Sequence, residues 1–405
     1  MRIKRNKIIL LPFQKDCTGC MACADACRHG ALKIITRDDG HKYPLVDDSK
    51  CIACGACEKA CPIHEKLPYG NNFGKSIPFA AWCTDKELIT RSASGGVFAA
   101  VAAQVLSAGG YVSGAVCIGK DVKHIVIDSL KDLHLLQGSK YQQSDTRGVY
   151  KQVKQLLIDG NTVLFSGTGC QVAGILQYLG KKYDRLITID LICAGVPSSL
   201  LMSRFCKEEN LNPEHIRWRD KENGWRHGLQ LTITTNTQEN RWKTKNCFFW
   251  GGFLGGMTSR WSCYNCQFTG TDRISDLTIG DYWGCREWKE QWHDGVSVLV
   301  VHSLKGRDLV ESSKLAIRPT SWADCVRENP RIILGQRPMR ELILERRMIA
   351  WAFRHLSYET LNKIYAGNIQ KRDILWLPYK LFKMLRWQLT QFITKKRVKT
   401  ILKNL

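Results

Sequence analysis

Eight cysteines in two copies of one spacing, CTGCMACADAC from Cys17 and CIACGACEKACP from Cys51, are the residues best placed to do chemistry. Each copy reads C-x2-C-x2-C-x3-C. A 4Fe-4S cubane takes four thiolates, and in two-cluster modules of this spacing three come from one tight loop and the fourth crosses over from the other motif. The spacing therefore predicts Cys17, Cys20, Cys23 and Cys61 around one cluster and Cys51, Cys54, Cys57 and Cys27 around the other. Gly19, Ala22, Gly55 and Ala56 keep bulk away from the cubanes and leave backbone N–H groups for their sulfides. Zinc prefers two CxxC pairs set well apart and disulfide scaffolds belong to small secreted domains, so both readings are disfavoured. Pro62 follows Cys61 but Arg28 follows Cys27. Proline is not a ligand, so that difference bears only on the local turn and on the potential of the second cluster.

The 405 residues leave room for two or three domains, and 44% apolar content agrees with a globular protein. The start, MRIKRNKIILLPFQKDC, has too short an apolar run for a signal peptide, and no run approaches the roughly twenty residues of a membrane-spanning helix. Eighteen cysteines then imply metal ligation in a reducing cytoplasm. A formal net charge of +23 calls for an anionic partner. The candidates are an acidic electron carrier such as ferredoxin or flavodoxin, an anionic membrane face, or an acidic or phosphorylated substrate. Nucleic acid is disfavoured because no reading motif accompanies the charge.

Between the cysteine motifs, ALKIITRDDGHKYPLVDDSK alternates around Asp39-Gly40 as a hairpin would, so each half of the module reads as loop, helical turn and strand. HEKLPYGNNFGKSIP lacks periodicity and places a domain boundary near residue 75. FAAWC is a strand, RSASGG leads into the apolar helix VFAAVAAQVLSAGG, and YVSGAVCIG and KHIVIDS are strands. Ser92, Ser94, Gly95 and Gly96 at a helix start suit either an anion such as a pyrophosphate or plain serine capping and tight packing. LQGSKYQQSD is a polar loop with one cation, Lys140. NTVLFSGTGCQVAGILQYL and RLITIDLICAGVPS are buried strands ending at Cys170 and Cys193, as in a parallel or mixed sheet that gathers ligands at its strand ends. A charged loop and an alternating strand follow in IRWRDKENGWRHGLQLTITT. Cys263-x2-Cys266 could be a redox dithiol, half a zinc site, or, with Cys170 and Cys193, a third iron–sulfur site. It precedes a strand ending at Gly280, Asp281 and Tyr282. VSVLVVHSLKG is one more buried strand.

Helical periodicity dominates after Pro330. Residues 378 to 393 set Leu381, Phe382, Leu385, Leu389, Phe392 and Ile393 on one side of a helical wheel and Lys380, Lys383 and Arg386 on the other, with Gln388 intruding on the apolar side. With Trp376 and Trp387 this basic helix suits an anionic membrane interface or, equally, docking on the protein itself or a partner.

The combination of SASGG, LQGSKY, SGTGCQ, DLICAGVPS, RDKENGW and CYNCQFTGTDRISDLTIGDYWG, in that order, resembles the coenzyme F-420 hydrogenase/dehydrogenase beta-subunit family, in the subgroup with a fused N-terminal two-cluster ferredoxin domain. The resemblance covers roughly residues 10 to 330. It implies an α/β fold, a mixed-sheet flavin-binding core preceded by a small α+β ferredoxin-like domain, and it leaves uncovered the basic tail that periodicity reads as helical. The divisions expected are 1–75 for the two-cluster domain, 76–160 and 161–330 for the two parts of the flavin-binding domain, and 331–405 for the tail. Carried over position by position, Cys170, Cys193, Cys263 and Cys266 would hold a third 4Fe-4S cluster. Ser94, Gly95, Gly96, Ser139, Lys140 and Tyr141 would contact FAD, and Gln171 would lie near its ring.

Two positions depart from the family pattern. Gly169 stands where relatives often have proline, and Ala194 where many have histidine. If that histidine protonates substrate in relatives, this protein uses another group or a different substrate, and His227 and Lys221 are near in sequence. The resemblance further implies an oxidoreductase passing electrons between clusters, FAD and a two-electron organic substrate or deazaflavin coenzyme, with Lys140 as a cation near the flavin. A sugar- or lipid-linked substrate of surface-polysaccharide biosynthesis belongs to the same analogy. The alternative is a non-catalytic electron-transfer subunit of a larger redox complex. The expected location is the cytoplasm, with peripheral contact at the inner membrane face through the tail.

Overall fold

The computed structural model describes residues 11–64, 76–335 and 351–366, apart from 13, 228–229, 244–246, 328 and 353, together with 392, 395–397 and 399–400. The boundary expected near residue 75 and nearly all of the basic helix expected over 378–393 lie outside the described residues. No helix of the described residues is long and apolar enough to cross a membrane.

The chain has an α/β architecture in which a small N-terminal domain sits on a core built around a mixed sheet. In the small domain β1 (Leu32–Thr36) and β2 (Lys42–Val46) form the antiparallel hairpin expected around Gly40. Gly40 has φ 75°, and Asp39 ties the turn by accepting from the His41 N–H at 3.0 Å and the Tyr43 hydroxyl at 2.7 Å. Both strands lie between the two cysteine-bearing turns, so β2 precedes the second helical turn, Ala56–Lys59, instead of following it as the repeat suggested.

In the core, eight strands form one sheet. They are β3 (Ile77–Cys83), β4 (Tyr111–Ile118), β5 (Asp121–Ile127), β6 (Val163–Thr168), β7 (Leu186–Leu191), β11 (Leu277–Asp281), β12 (Ser297–Val301) and β13 (Leu315–Pro319), in the order β13-β3-β12-β11-β7-β6-β4-β5. The central strands β11, β7, β6 and β4 are parallel and their outer neighbours antiparallel. Strands buried on both faces need apolar residues on both, and β6 is built that way. Leu164 faces the helix Val97–Ser107, whereas Val163 and Phe165 face the helices Val149–Ile158 and Gly169–Leu179. A separate three-stranded antiparallel sheet joins β8 (His215–Arg217), β9 (Gln230–Thr234) and β10 (Glu239–Lys243). Sequence reading named neither β10 nor β13. Both are edge strands with exposed charged residues, so neither shows a continuous apolar run.

Two buried histidines make the core sensitive to acid. His302 joins Thr278 Oγ1 (2.8 Å) to Ser76 Oγ (2.7 Å), and His124 stacks on Phe165 with its Nε2 3.0 Å from the Ser166 carbonyl. Burial pushes both imidazoles down to about 4. In the unfolded chain they titrate near 6.5, so their contribution to stability is complete above that value and is lost as pH falls toward 4. Thermal denaturation should show each histidine removing about 2 kcal/mol between pH 7 and 5. A His302→Asn variant should lose less on acidification than the wild type; an equal loss in both would exclude this origin.

Candidate functional site

The two cysteine loops share a backbone signature. Gly19 and Met21 in the first, and Ala53 and Gly55 in the second, all have positive φ (70°, 61°, 57° and 74°). Left-handed backbone at Met21 and Ala53 costs free energy for residues bearing a Cβ, and successive turns of this kind point N–H groups inward as an anion-binding nest. Cys17, Cys20, Cys23 and Cys61 line one small cavity, and Cys27, Cys51, Cys54 and Cys57 line another. The grouping is the crossed one that the spacing predicts. The thiols stand around cavities instead of converging on a point: among the described residues no group of three or more His, Cys, Asp or Glu side chains forms a site for a single metal ion. Burial, then the neighbouring thiols Cys61, Cys170 and Cys17, push the Cys20 thiol up to about 12. Thiols crowded in dry surroundings stay protonated unless a metal charge compensates them, so the donor set fits iron–sulfur clusters.

The small domain is docked by polar contacts that sequence could not disclose. The Asp25 carboxylate accepts from the backbone N–H groups of Gly148 (2.7 Å) and Tyr150 (3.1 Å), and so caps the helix Val149–Ile158 from another domain. Thr146 Oγ1 donates to the Cys20 carbonyl at 2.7 Å, and Gln143 Nε2 to those of Thr18 and Gly19 at 2.9 and 3.1 Å. Gly174 makes the approach close, because a Cβ there would fall 3.0 Å from Cys20 Cβ and 3.1 Å from its Sγ.

One turn before Gly174, at the start of the same helix, is Cys170. It lies in the electrostatic field of Cys266 and Cys193, and Cys263 in that of Cys193, Cys266 and Cys170, so the fold gathers all four. Burial and then Cys266 push Cys170 up to about 12 and Cys193 up to about 11. Thr168 Oγ1 lies 3.2 Å from Cys170 Sγ, and the Gly195 N–H donates to Cys193 Sγ at 3.3 Å. At Gly169 the replacement of proline has a steric reason: a Cβ would sit 2.8 Å from the Phe268 carbonyl oxygen.

Cys170 and Cys193 also border a cavity of about 300 Å³ at the carboxyl ends of β6, β7 and β11, within the range of small-molecule sites. Ser94, Gly96, Ser139, Lys140, Tyr141 and Gln171 line it. Gly95 lies behind the wall, its N–H donating to Ser297 Oγ (3.0 Å) and its carbonyl accepting from the Cys83 N–H (2.6 Å). Gly96 has φ 76° and starts the helix Val97–Ser107 without a side-chain cap. Gln171 is committed to positioning: its Oε1 accepts from the Thr168 N–H at 3.0 Å, and its Nε2 donates to Ser144 Oγ at 2.8 Å. Lys140 donates to the carbonyls of Gln137 (2.7 Å) and Leu135 (3.2 Å), and burial pushes its ammonium down to about 7.

Neither residue considered in place of the missing histidine lines the cavity. Lys221 instead binds the carbonyls of Asp294 (2.6 Å), Ile89 (2.8 Å) and Ser94 (3.2 Å), which pins the Ser94 loop. Residues not foreseen do line it. Arg219 pairs with Asp281 at 2.8 Å and lies 4.9 Å over Trp283, which stacks on Trp225 at 4.8 Å. Arg331 donates to the Leu254 carbonyl at 2.8 Å and, among the described residues, has no carboxylate partner. RDKENGW carried a hint of Arg219; nothing local marked Arg331.

Residues 16–64 match the 4Fe-4S dicluster domain, residues 78–151 the N-terminal domain of the coenzyme F420 hydrogenase/dehydrogenase beta subunit, and residues 160–320 the C-terminal domain of that subunit. An uncharacterized protein of Methanocaldococcus jannaschii is 25% identical over 330 residues, which is 69% of this chain and 87% of that protein. Among solved structures, a chain of the F420-reducing NiFe hydrogenase complex of Methanosarcina barkeri is similar at a TM-score of 0.44 and 16% identity, over 70% of this chain and 94% of that one.

Proposed function

Because the chain belongs to the coenzyme F420 hydrogenase/dehydrogenase beta-subunit family, with a 4Fe-4S dicluster domain fused ahead of it, and is thereby an iron–sulfur oxidoreductase of the electron-transfer kind, we propose that it is a flavoenzyme. In this reading it relays electrons through three 4Fe-4S clusters to FAD and a two-electron organic substrate or deazaflavin. The observation that carries the proposal is a shared wall. Cys170 and Cys193 border the large cavity, and the helix starting at Cys170 presses Gly174 against Cys20 of the first cluster set.

The second set would hold the cluster that exchanges electrons with an acidic carrier, because Cys54 is exposed and Arg28, Lys33, Lys50 and Lys59 offer it basic docking. Cys17, Cys20, Cys23 and Cys61 would hold the middle cluster of the relay, and Cys170, Cys193, Cys263 and Cys266 the one beside the cavity. When bound, FAD supplies one-electron exchange with the clusters and two-electron exchange with the substrate. The start of the helix Val97–Ser107, which lines the cavity, would offer backbone N–H groups to its diphosphate. Lys140 and Arg331 supply positive charge to an anionic occupant, while Trp283, backed by the stacked Trp225, keeps water from one side of the cleft.

Anaerobic reconstitution tests the proposal. About twelve irons with matching sulfide and one FAD per chain are expected; about eight irons and no flavin would overturn it. Obligate co-purification with another catalytic chain, without oxidation of any small molecule, would instead support a pure electron-transfer subunit.

A further inference from the structure

Arg260 lies in the core, three residues before Cys263, yet its side chain belongs to the small domain. It is fully buried. Its Nε donates to the Cys17 carbonyl at 2.6 Å, its Nη2 to the Lys42 carbonyl at 2.9 Å and toward Cys17 Sγ at 3.6 Å, and its Nη1 to Gln143 Oε1 at 2.8 Å. The guanidinium lies 4.1 Å over the ring of Tyr43. Gly19 leaves the space for it, since a Cβ there would fall 2.6 Å from Nη1. The backbone of Arg260 is tied to the other side: its N–H donates to the Val196 carbonyl, and its carbonyl accepts from the Cys263 N–H, both at 3.0 Å.

Among the described residues Arg260 has no ion pair with a carboxylate. A buried cation of this kind is costly unless a nearby anion compensates it. Four thiolates outweigh the charge of a cubane, and each added electron makes the assembly more negative. We infer that Arg260 is a positioning residue that raises the reduction potential of the cluster held by Cys17, Cys20, Cys23 and Cys61, with its guanidinium directed at the Cys17 sulfur. Its placement would also couple that cluster to the third site: the guanidinium is bonded at Cys17 while the backbone of the same residue is bonded to Cys263, and its charge reaches Cys170, easing the repulsion between two reduced centres. This coupling rests on the three-cluster reading; the effect at Cys17 does not.

The test is an anaerobic redox titration of the reconstituted full chain, followed by electron paramagnetic resonance, with iron and sulfide counted first. In Arg260→Gln the reduction equilibrium of one N-terminal cluster should fall about tenfold, or about 59 mV for a one-electron couple, while the other N-terminal cluster stays unmoved. Should that variant shed iron, Arg260→Met serves, because it too removes the charge and the same fall is expected. Unchanged potentials in the variant that retains its iron would overturn the inference. A wild-type count of about eight irons would remove the third cluster but leave the Cys17 effect to be measured.

Discussion

Replacing Cys170 with alanine is expected to remove about four of about twelve irons per chain, to leave flavin bound, and to interrupt electron flow from the N-terminal clusters to the cavity. Alanine is the better choice, because a serine oxygen can itself ligate iron. Cys170 has this leverage because it stands at the junction of three features. It opens the helix Gly169–Leu179, it lines the large cavity, and Gly174 one turn later touches Cys20. The Thr168–Gln171 capping box holds the turn whichever residue occupies position 170, so the variant should fold. Stopped-flow reduction should then show the N-terminal clusters reduced and the flavin lagging far behind. Iron content equal to the wild type, with unchanged flavin reduction, would show that Cys170 holds no cluster.

Arg273→Met is expected to destabilise the chain by about 3–5 kcal/mol, as removal of one partner of a buried ion pair does. At roughly 2–4 °C per kcal/mol the thermal midpoint should fall on the order of 10 °C. Arg273 Nη1 pairs with Asp190 Oδ2 at 2.9 Å, and both side chains are almost completely buried. The same guanidinium donates to the carbonyls of Ile332 (2.8 Å) and Gly270 (3.2 Å) and approaches those of Leu191 and Phe268 at 3.4 Å. Asp190 also accepts from Thr278 Oγ1. The pair thereby ties together four segments: β7 leading to Cys193, the loop after Cys266, β11 at Thr278, and the helix Arg331–Leu334. Loss of stability should accordingly be accompanied by loss of iron from the third site before the N-terminal clusters are affected. The double variant Asp190→Leu/Arg273→Met should recover part of the midpoint, because it leaves no buried charge unpaired. A midpoint within 2 °C or so of the wild type in the single variant would mean the pair carries little of the fold's stability.

Much of this protein was legible before any coordinates. A cubane imposes fixed spacing on the cysteines of one loop, so the grouping of the N-terminal thiols around two cavities is written along the chain, and the paired left-handed turns at Gly19/Met21 and Ala53/Gly55 repeat with it. Strands buried on both faces announce themselves by apolar runs, which made β6, β7 and β12 readable, whereas the polar edge strands β10 and β13 had no such signature. What the chain does not encode locally is distance between segments remote in sequence. Cys20 against Gly174, Arg260 reaching Cys17, Asp25 capping the helix at Val149, and Arg331 entering the cavity all depend on packing of one domain or terminus against another. Local spacing therefore marked which N-terminal cysteines the fold would gather, because that geometry is set within a few residues. Only tertiary packing decided which cysteine sets adjoin and which cations face them, because burial and proximity belong to the folded whole.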